Sequence, residues 1–313
     1  CPEIPFYFDK FRRVTFRQVG VLEDDALAEL LCAHEQVLCI VNSRKAAQSI
    51  FSKLPEEGSF HLSTLMVPAH RRTVLEEIRR RLNDGLPCRV VSTSLVEAGV
   101  DIDFPAVYRE LAGLDSILQA AGRCNREGKR AAEDSIVTIF RRTEKAPPLF
   151  GQAIGATNIA LDNNADPASP QTMENYFREL RKLNGSAIDK IGVIDAFERG
   201  RGGSLYPFRT IAENFHMIDN DTRTVYIPWR EGAELIDRLC AGACSKSLYR
   251  QLGQVSVQVY DTHFQALYDT GALQTADETN ALDDRGAILC DLSLYDEKTG
   301  LSLKADSGQA FFG

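Results

Sequence analysis

A chain of 313 residues, 44% apolar and 26% charged, is long enough for two separate cores and has the composition of an ordinary globular protein. No apolar run reaches the roughly 20 residues a bilayer-spanning helix needs, and no charged-then-apolar leader opens the chain, so neither a membrane span nor a secretory signal is expected. The net charge of −8 argues first against a nucleic-acid partner, but residues 1–142 hold 20 Lys and Arg against 20 Asp and Glu, and the rest hold 16 against 24.

In chain order, residues 22–34 predict a helix with Leu27, Leu30, Leu31 and His34 on one face. Residues 37–41 (VLCIV) read as a buried strand, followed by Asn42 and Ser43, both good helix N-caps. A second strand is expected over 60–65 (FHLSTL), and a helix over 69–82 places Leu75, Ile78 and Leu82 three and four residues apart. Strands follow at 88–92 (CRVVS) and 136–140 (IVTIF). Strands alternating with helices indicate βαβ units, hence an α/β fold with a parallel sheet covered on both faces. Ligands of such sheets gather at the carboxyl ends of the strands, where Asn42-Ser43, Ser63-Thr64 and Ser92-Thr93-Ser94 fall.

After residue 140 the texture changes. Pro147-Pro148 and residues 161–170 (LDNNADPASP) are rich in breakers, and residues 171–183 predict a helix with Met173, Tyr176, Phe177 and Leu180 on one face. Residues 199–204 (RGRGGS) have the composition of a flexible joint. Strands are expected within 208–228 and at 255–260 (VSVQVY), giving a small α+β domain over 206–313 after a linker over 143–205.

Eight cysteines are scattered singly; Cys240 and Cys244 form a C-x-x-x-C pair without the second pair a zinc site needs. Reduced thiols in a cytoplasmic protein, and no metal site, are therefore expected; His70 has no cluster of partner ligands around it. The basic clusters His70-Arg71-Arg72 and Arg79-Arg80-Arg81 leave room for a local positive channel that follows a single strand, whatever the total charge.

Two stretches carry the most chemistry. Residues 119–126 (QAAGRCNR) hold Gln119, Arg123 and Arg126, and their spacing predicts about two helical turns with both arginines on one face. A guanidinium is a planar, permanently charged fork that matches phosphate oxygens. Residues 92–105 (STSLVEAGVDIDFP) offer hydroxyls and free N–H groups at Thr93 and Ser94 and conformational freedom at Gly99. They also offer carboxylates at Asp101 and Glu97, the latter equally able to cap a helix.

These stretches resemble motifs five and six of superfamily 2 helicases, which lie on the second of two RecA-like domains, the C-terminal type of P-loop NTPase helicase fold. Neither a G-x-x-x-x-G-K-[ST] loop nor a D-E-x-H or D-E-A-D box occurs in the chain, and it opens on Cys1, so an upstream portion holding them is expected. The resemblance implies that Arg126 acts as an arginine finger and that Arg123 contacts the same phosphates. Gln119 would place the phosphate or the attacking water; Gly99, Asp101 and Glu97 would serve the nucleotide. Residues 37–47 (VLCIVNSRKAA) resemble motif four. That assigns Asn42, Ser43 and Arg44 to nucleic acid, together with Ser63, Thr64, His70, Arg71, Thr93 and Ser94.

Residues 61–71 (HLSTLMVPAHR), 92–105 and 119–128 together resemble the helicase-nuclease of type I CRISPR interference, the Cas-three family. The resemblance implies single-stranded DNA and the Cascade surveillance complex as partners. ATP and Mg²⁺ would be bound mainly by a first RecA-like domain outside this chain, and an HD nuclease domain would cut the strand that the motor pulls. A separately acting binding module that docks on Cascade or single-stranded DNA without chemistry is the alternative. A different superfamily 2 motor is a third reading.

Overall fold

The computed structural model describes residues 4–97, 99–162, 165–185, 189, 191–200, 206–215, 222–243, 245–275 and 286–303. Its first part runs α1 (Ile4–Lys10), β1 (Thr15–Leu22), α2 (Asp24–Cys32), β2 (Gln36–Ile40), α3 (Arg44–Phe51) and β3 (Ser59–Leu62). It continues through α4 (Pro68–Asn83), β4 (Cys88–Ser92), β5 (Ala106–Glu110), α5 (Leu114–Ala121) and β6 (Ile136–Arg142). The six strands form one sheet in the order β1-β6-β5-β2-β4-β3, every pairing parallel. Side chains alternate across a strand, so the run Val37 to Val41 feeds both faces. Leu38 and Ile40 join Leu62, Val90 and Val107 in one core; Val37, Cys39 and Val41 join Leu27, Leu31, Ala47 and Ile50 in the other. Two strands escape the apolar pattern: β1 is an edge strand with a mostly exposed surface, and β5 carries the buried charges Arg109 and Glu110. β3 stops at Leu62 rather than residue 65, because the Ser63 hydroxyl accepts the Leu65 N–H at 3.2 Å and turns the chain.

Helices α6 (Gly151–Ala160) and α7 (Pro170–Asn184) follow. Ala156, Ala160 and Tyr176 pack against Leu114, Ile117 and Ile139, and the Tyr176 hydroxyl donates to Asp115 at 2.7 Å. Next come α8 (Val193–Gly200), α9 (Phe208–Asn214), β7 (Thr222–Tyr226), α10 (Gly232–Cys240), α11 (Lys246–Leu252) and β8 (Ser256–Tyr260). The last elements are α12 (Asp261–Asp269), β9 (Leu273–Thr275), β10 (Gly286–Leu289), β11 (Tyr295–Asp296) and β12 (Gly300–Leu301). Four of these strands make a mixed sheet in the order β8-β7-β10-β9, and β11 pairs with β12. Residues 208–214, expected within a strand region, are helical, and the joint expected at 199–204 lies mostly outside the described residues. No helix among the described residues is long and apolar enough to cross a membrane.

The second sheet does not stand apart from the first. Leu65 and Val67, from the loop between β3 and α4, belong to the core of Val225, Trp229, Val257, Phe264 and Leu289. Leu301 N–H donates to the Leu65 carbonyl at 2.8 Å, and Val67 N–H to the Tyr295 hydroxyl at 3.0 Å. Gly300 makes the first contact possible: it sits at φ +80°, and a Cβ there would lie 2.4 Å from the Leu65 oxygen. Gly300→Ala is expected to cost about 1–3 kcal/mol, read as a shift in the denaturant midpoint, because both the φ and the approach forbid the methyl. A midpoint equal to wild type would show that the two parts tolerate separation.

His61 on β3 adds a pH dependence. It is 1% exposed, and neither ring nitrogen has a hydrogen-bond partner among the described residues. Burial lowers its pKa to about 4. The folded state therefore resists protonation while the unfolded chain takes a proton from about pH 6.5 downward, so stability present at neutral pH is lost on acidification. The loss approaches about 3 kcal/mol near pH 4. His61→Leu removes this component: the difference in unfolding free energy between pH 7 and pH 4.5 should shrink in the variant. An unchanged difference would assign the acid sensitivity elsewhere.

Candidate functional site

Chemistry-bearing residues collect in two places. The first lies beyond the carboxyl ends of β2, β3 and β4, where a parallel sheet gathers Asn42-Ser43, Ser63-Thr64 and Thr93-Ser94. Three of these six side chains, Asn42, Ser43 and Ser63, have internal partners, although all six were expected to face nucleic acid. The Asn42 N–H donates to Glu110 Oε2 at 2.8 Å, its amide donates to the Leu111 carbonyl at 2.9 Å, and its Oδ1 accepts from Arg109 at 2.8 Å. Ser43 caps α3, accepting the Ala46 N–H at 3.1 Å. Ser63 and Thr93 are buried. His70 is also interior: it stacks on Trp229 at 4.9 Å, and its Nδ1 lies 3.1 Å from the Tyr295 hydroxyl. The same hydroxyl accepts the Val67 N–H, and burial lowers the His70 pKa. Arg44 and Arg71 are half-buried at the same junction, with Arg44 over the Tyr260 ring at 5.1 Å. Thr64 and Ser94 remain exposed.

The second place joins the 93–104 segment to the chain after α5. The helix expected to run to residue 126 ends at Ala121: Gly122 closes it, and Asn125 adopts φ +47°. Beyond it the chain is pinned to the approach of β5, with Phe104 N–H donating to the Arg123 carbonyl at 2.9 Å and Asn125 N–H to the Phe104 carbonyl at 3.0 Å. Arg123 and Arg126 consequently do different things. Arg123 is 7% exposed, and it donates from Nε to the Val96 carbonyl at 2.9 Å and from Nη2 to the Glu97 carbonyl at 2.6 Å. Arg126 projects outward, its side chain 43% exposed and its Nε 3.0 Å from Asp101 Oδ1, a carboxylate that is itself 82% exposed. Gly99 holds φ +73° in the loop between Glu97 and Asp101, and Gln119 is exposed on α5.

Glu97, expected to serve the nucleotide or to cap a helix, has an internal partner. Its carboxylate faces inward, 2.9 Å from the Nε of Arg109 on β5, both side chains buried. Burial pushes the Glu97 carboxyl up from its ordinary range, and the neighbouring guanidinium opposes that. Arg109 also donates to the Glu110 carbonyl at 2.7 Å, so one buried guanidinium ties the end of β2, the 93–104 segment and β5 together. Sequence reasoning passed over Arg109; the signal available was a charge in the middle of an apolar run. It also passed over Asp103, whose Oδ1 accepts the Arg126 N–H at 2.7 Å. Among the described residues no group of three His, Cys, Asp or Glu side chains could hold a metal ion.

Residues 33–129 match the family model for the C-terminal region of the CRISPR-associated nuclease/helicase Cas3. A Cas3 nuclease/helicase from Haloferax volcanii is 37% identical over 83 residues, 26% of this chain and 9% of that protein. The crystal structure of T. fusca Cas3 with ADP superposes with a TM-score of 0.58 at 16% identity, covering 93% of this chain and 42% of the other. A chain of a CRISPR RNA-guided surveillance complex in a pre-nicking state gives 0.56 at 15% identity, covering 93% and 44%. The chain thus spans less than half the length of these relatives, and the solved structures share its fold.

Proposed function

We propose, from the match of residues 33–129 to the family model for the C-terminal region of the CRISPR-associated nuclease/helicase Cas3, that this chain is the second lobe, with its trailing domain, of an ATP-dependent DNA translocase of CRISPR interference. Arg126 is its arginine finger. It reaches a triphosphate held mainly by another lobe and neutralises charge on the γ-phosphate as that group leaves. The presentation of Arg126 carries the reading. An ion pair this open to water, with Asp101, contributes about 0–1 kcal/mol, so a phosphate can displace the carboxylate at little cost. Arg123 has two carbonyl acceptors in a buried setting and is better suited to holding the 96–97 turn in place. Magnesium would enter with the nucleotide, held by residues of the other lobe, and would supply charge neutralisation at the phosphates.

Single-stranded DNA crosses the strand ends where Thr64 and Ser94 are exposed, with Arg44 and Arg71 at the rim, and the surveillance complex delivers it. The test is DNA-stimulated ATP hydrolysis by the complete parent protein, wild type against Arg126→Ala, with DNA binding measured alongside. Hydrolysis should collapse while binding survives. Unchanged turnover removes the finger assignment.

A further inference from the structure

Resting on that reading of Arg126, we propose that Asn125 is a positioning residue for the finger, acting through the backbone turn it locks. The residue is 1% exposed and its amide is engaged on both sides. Nδ2 donates to the Arg13 carbonyl and to the Arg130 carbonyl, each at 2.8 Å, and Oδ1 accepts the Arg130 N–H at 3.0 Å. One side chain thus closes the 126–130 loop and anchors it to the segment before β1. Its φ of +47° reverses the chain between the buried Arg123 and the outward Arg126. Arg126's own backbone is held as well: its N–H donates to Asp103 and its carbonyl accepts from the Arg13 guanidinium.

The residue type is dictated twice over. Only glycine, asparagine and aspartate adopt this conformation readily. Of these, only asparagine offers two donors to two carbonyls and an acceptor to an N–H; aspartate would set a negative oxygen against the two carbonyls, and glycine would leave all three partners empty. A long side chain magnifies a small tilt of the turn at its root, and a misplacement of about 1 Å at a catalytic group can cost about 10²-fold in rate. Asn125 would therefore act on turnover without touching nucleotide.

The experiment uses the complete parent protein carrying Asn125→Gly, which keeps φ free, and Asn125→Asp, which keeps the outline. Each is made alone and combined with Arg126→Ala, and steady-state ATP hydrolysis and thermal melts are recorded. Each single variant should lower kcat by about 10²-fold with KM for ATP shifted by less than about threefold, and should add no further loss in the Arg126→Ala background. Wild-type kcat in both single variants overturns the proposal, as does a loss that multiplies fully with that of Arg126→Ala. Loss of a cooperative melt in both variants assigns Asn125 to the fold and overturns it too. Should Arg126→Ala alone turn over normally, the finger reading falls first, which is a distinguishable result.

Discussion

Arg126→Ala in the complete parent protein is expected to lower kcat for ATP hydrolysis by about 10³-fold or more, the lower end of what removing an arginine finger costs. Among the described residues the side chain's partner is the exposed Asp101. Its Asp101 contact is exposed, so the melting temperature should stay close to wild type. Arg126→Lys should recover only part of the rate, because an ammonium is a point charge without the planar fork. Arg123→Ala should separate from both by lowering stability, since it strands the Val96 and Glu97 carbonyls in a buried site. Equal rates for wild type and Arg126→Ala, measured at saturating nucleotide and DNA, would move the finger to another residue.

Arg109→Met is expected to destabilise the chain by about 3–5 kcal/mol, because it leaves the Glu97 carboxylate buried without its counter-charge. For a protein of this size that corresponds to a melting-temperature loss on the order of 10 °C. Asn42 Oδ1 and the Glu110 carbonyl lose their donor at the same time. Adding Glu97→Leu should restore most of the loss, since an apolar pair can replace a buried ion pair at small net cost. A single variant within about 1 kcal/mol of wild type, by denaturant titration, would show that water reaches the pair and screens it.

Much of the sheet was legible because β2, β4 and β6 are apolar on both faces, and a sequence can announce that without help from tertiary context. β5 was not, since Arg109 and Glu110 look like surface residues until the structure supplies Glu97 and Asn42 as partners. The arginines were found, but their helix was not real beyond Ala121: side-chain spacing says nothing about Asn125 adopting φ +47°. The surroundings of the strand-end residues were less legible. The hydroxyls and His70 read as exposed phosphate ligands, whereas Ser63 is buried with a local partner and His70 is covered by Trp229, more than 150 positions away in the chain. Local pattern carries no information about such coverage.

The bare α-carbon at position 300 has a wider implication. Since the two halves meet there main chain to main chain, their joint does not depend on which surface groups happen to flank it. Drift could replace nearly every outward group on either half and leave the assembly intact, in keeping with an architecture shared across 93% of this chain at 16% identity. One added methyl at that point would weigh more than many replacements on the surface.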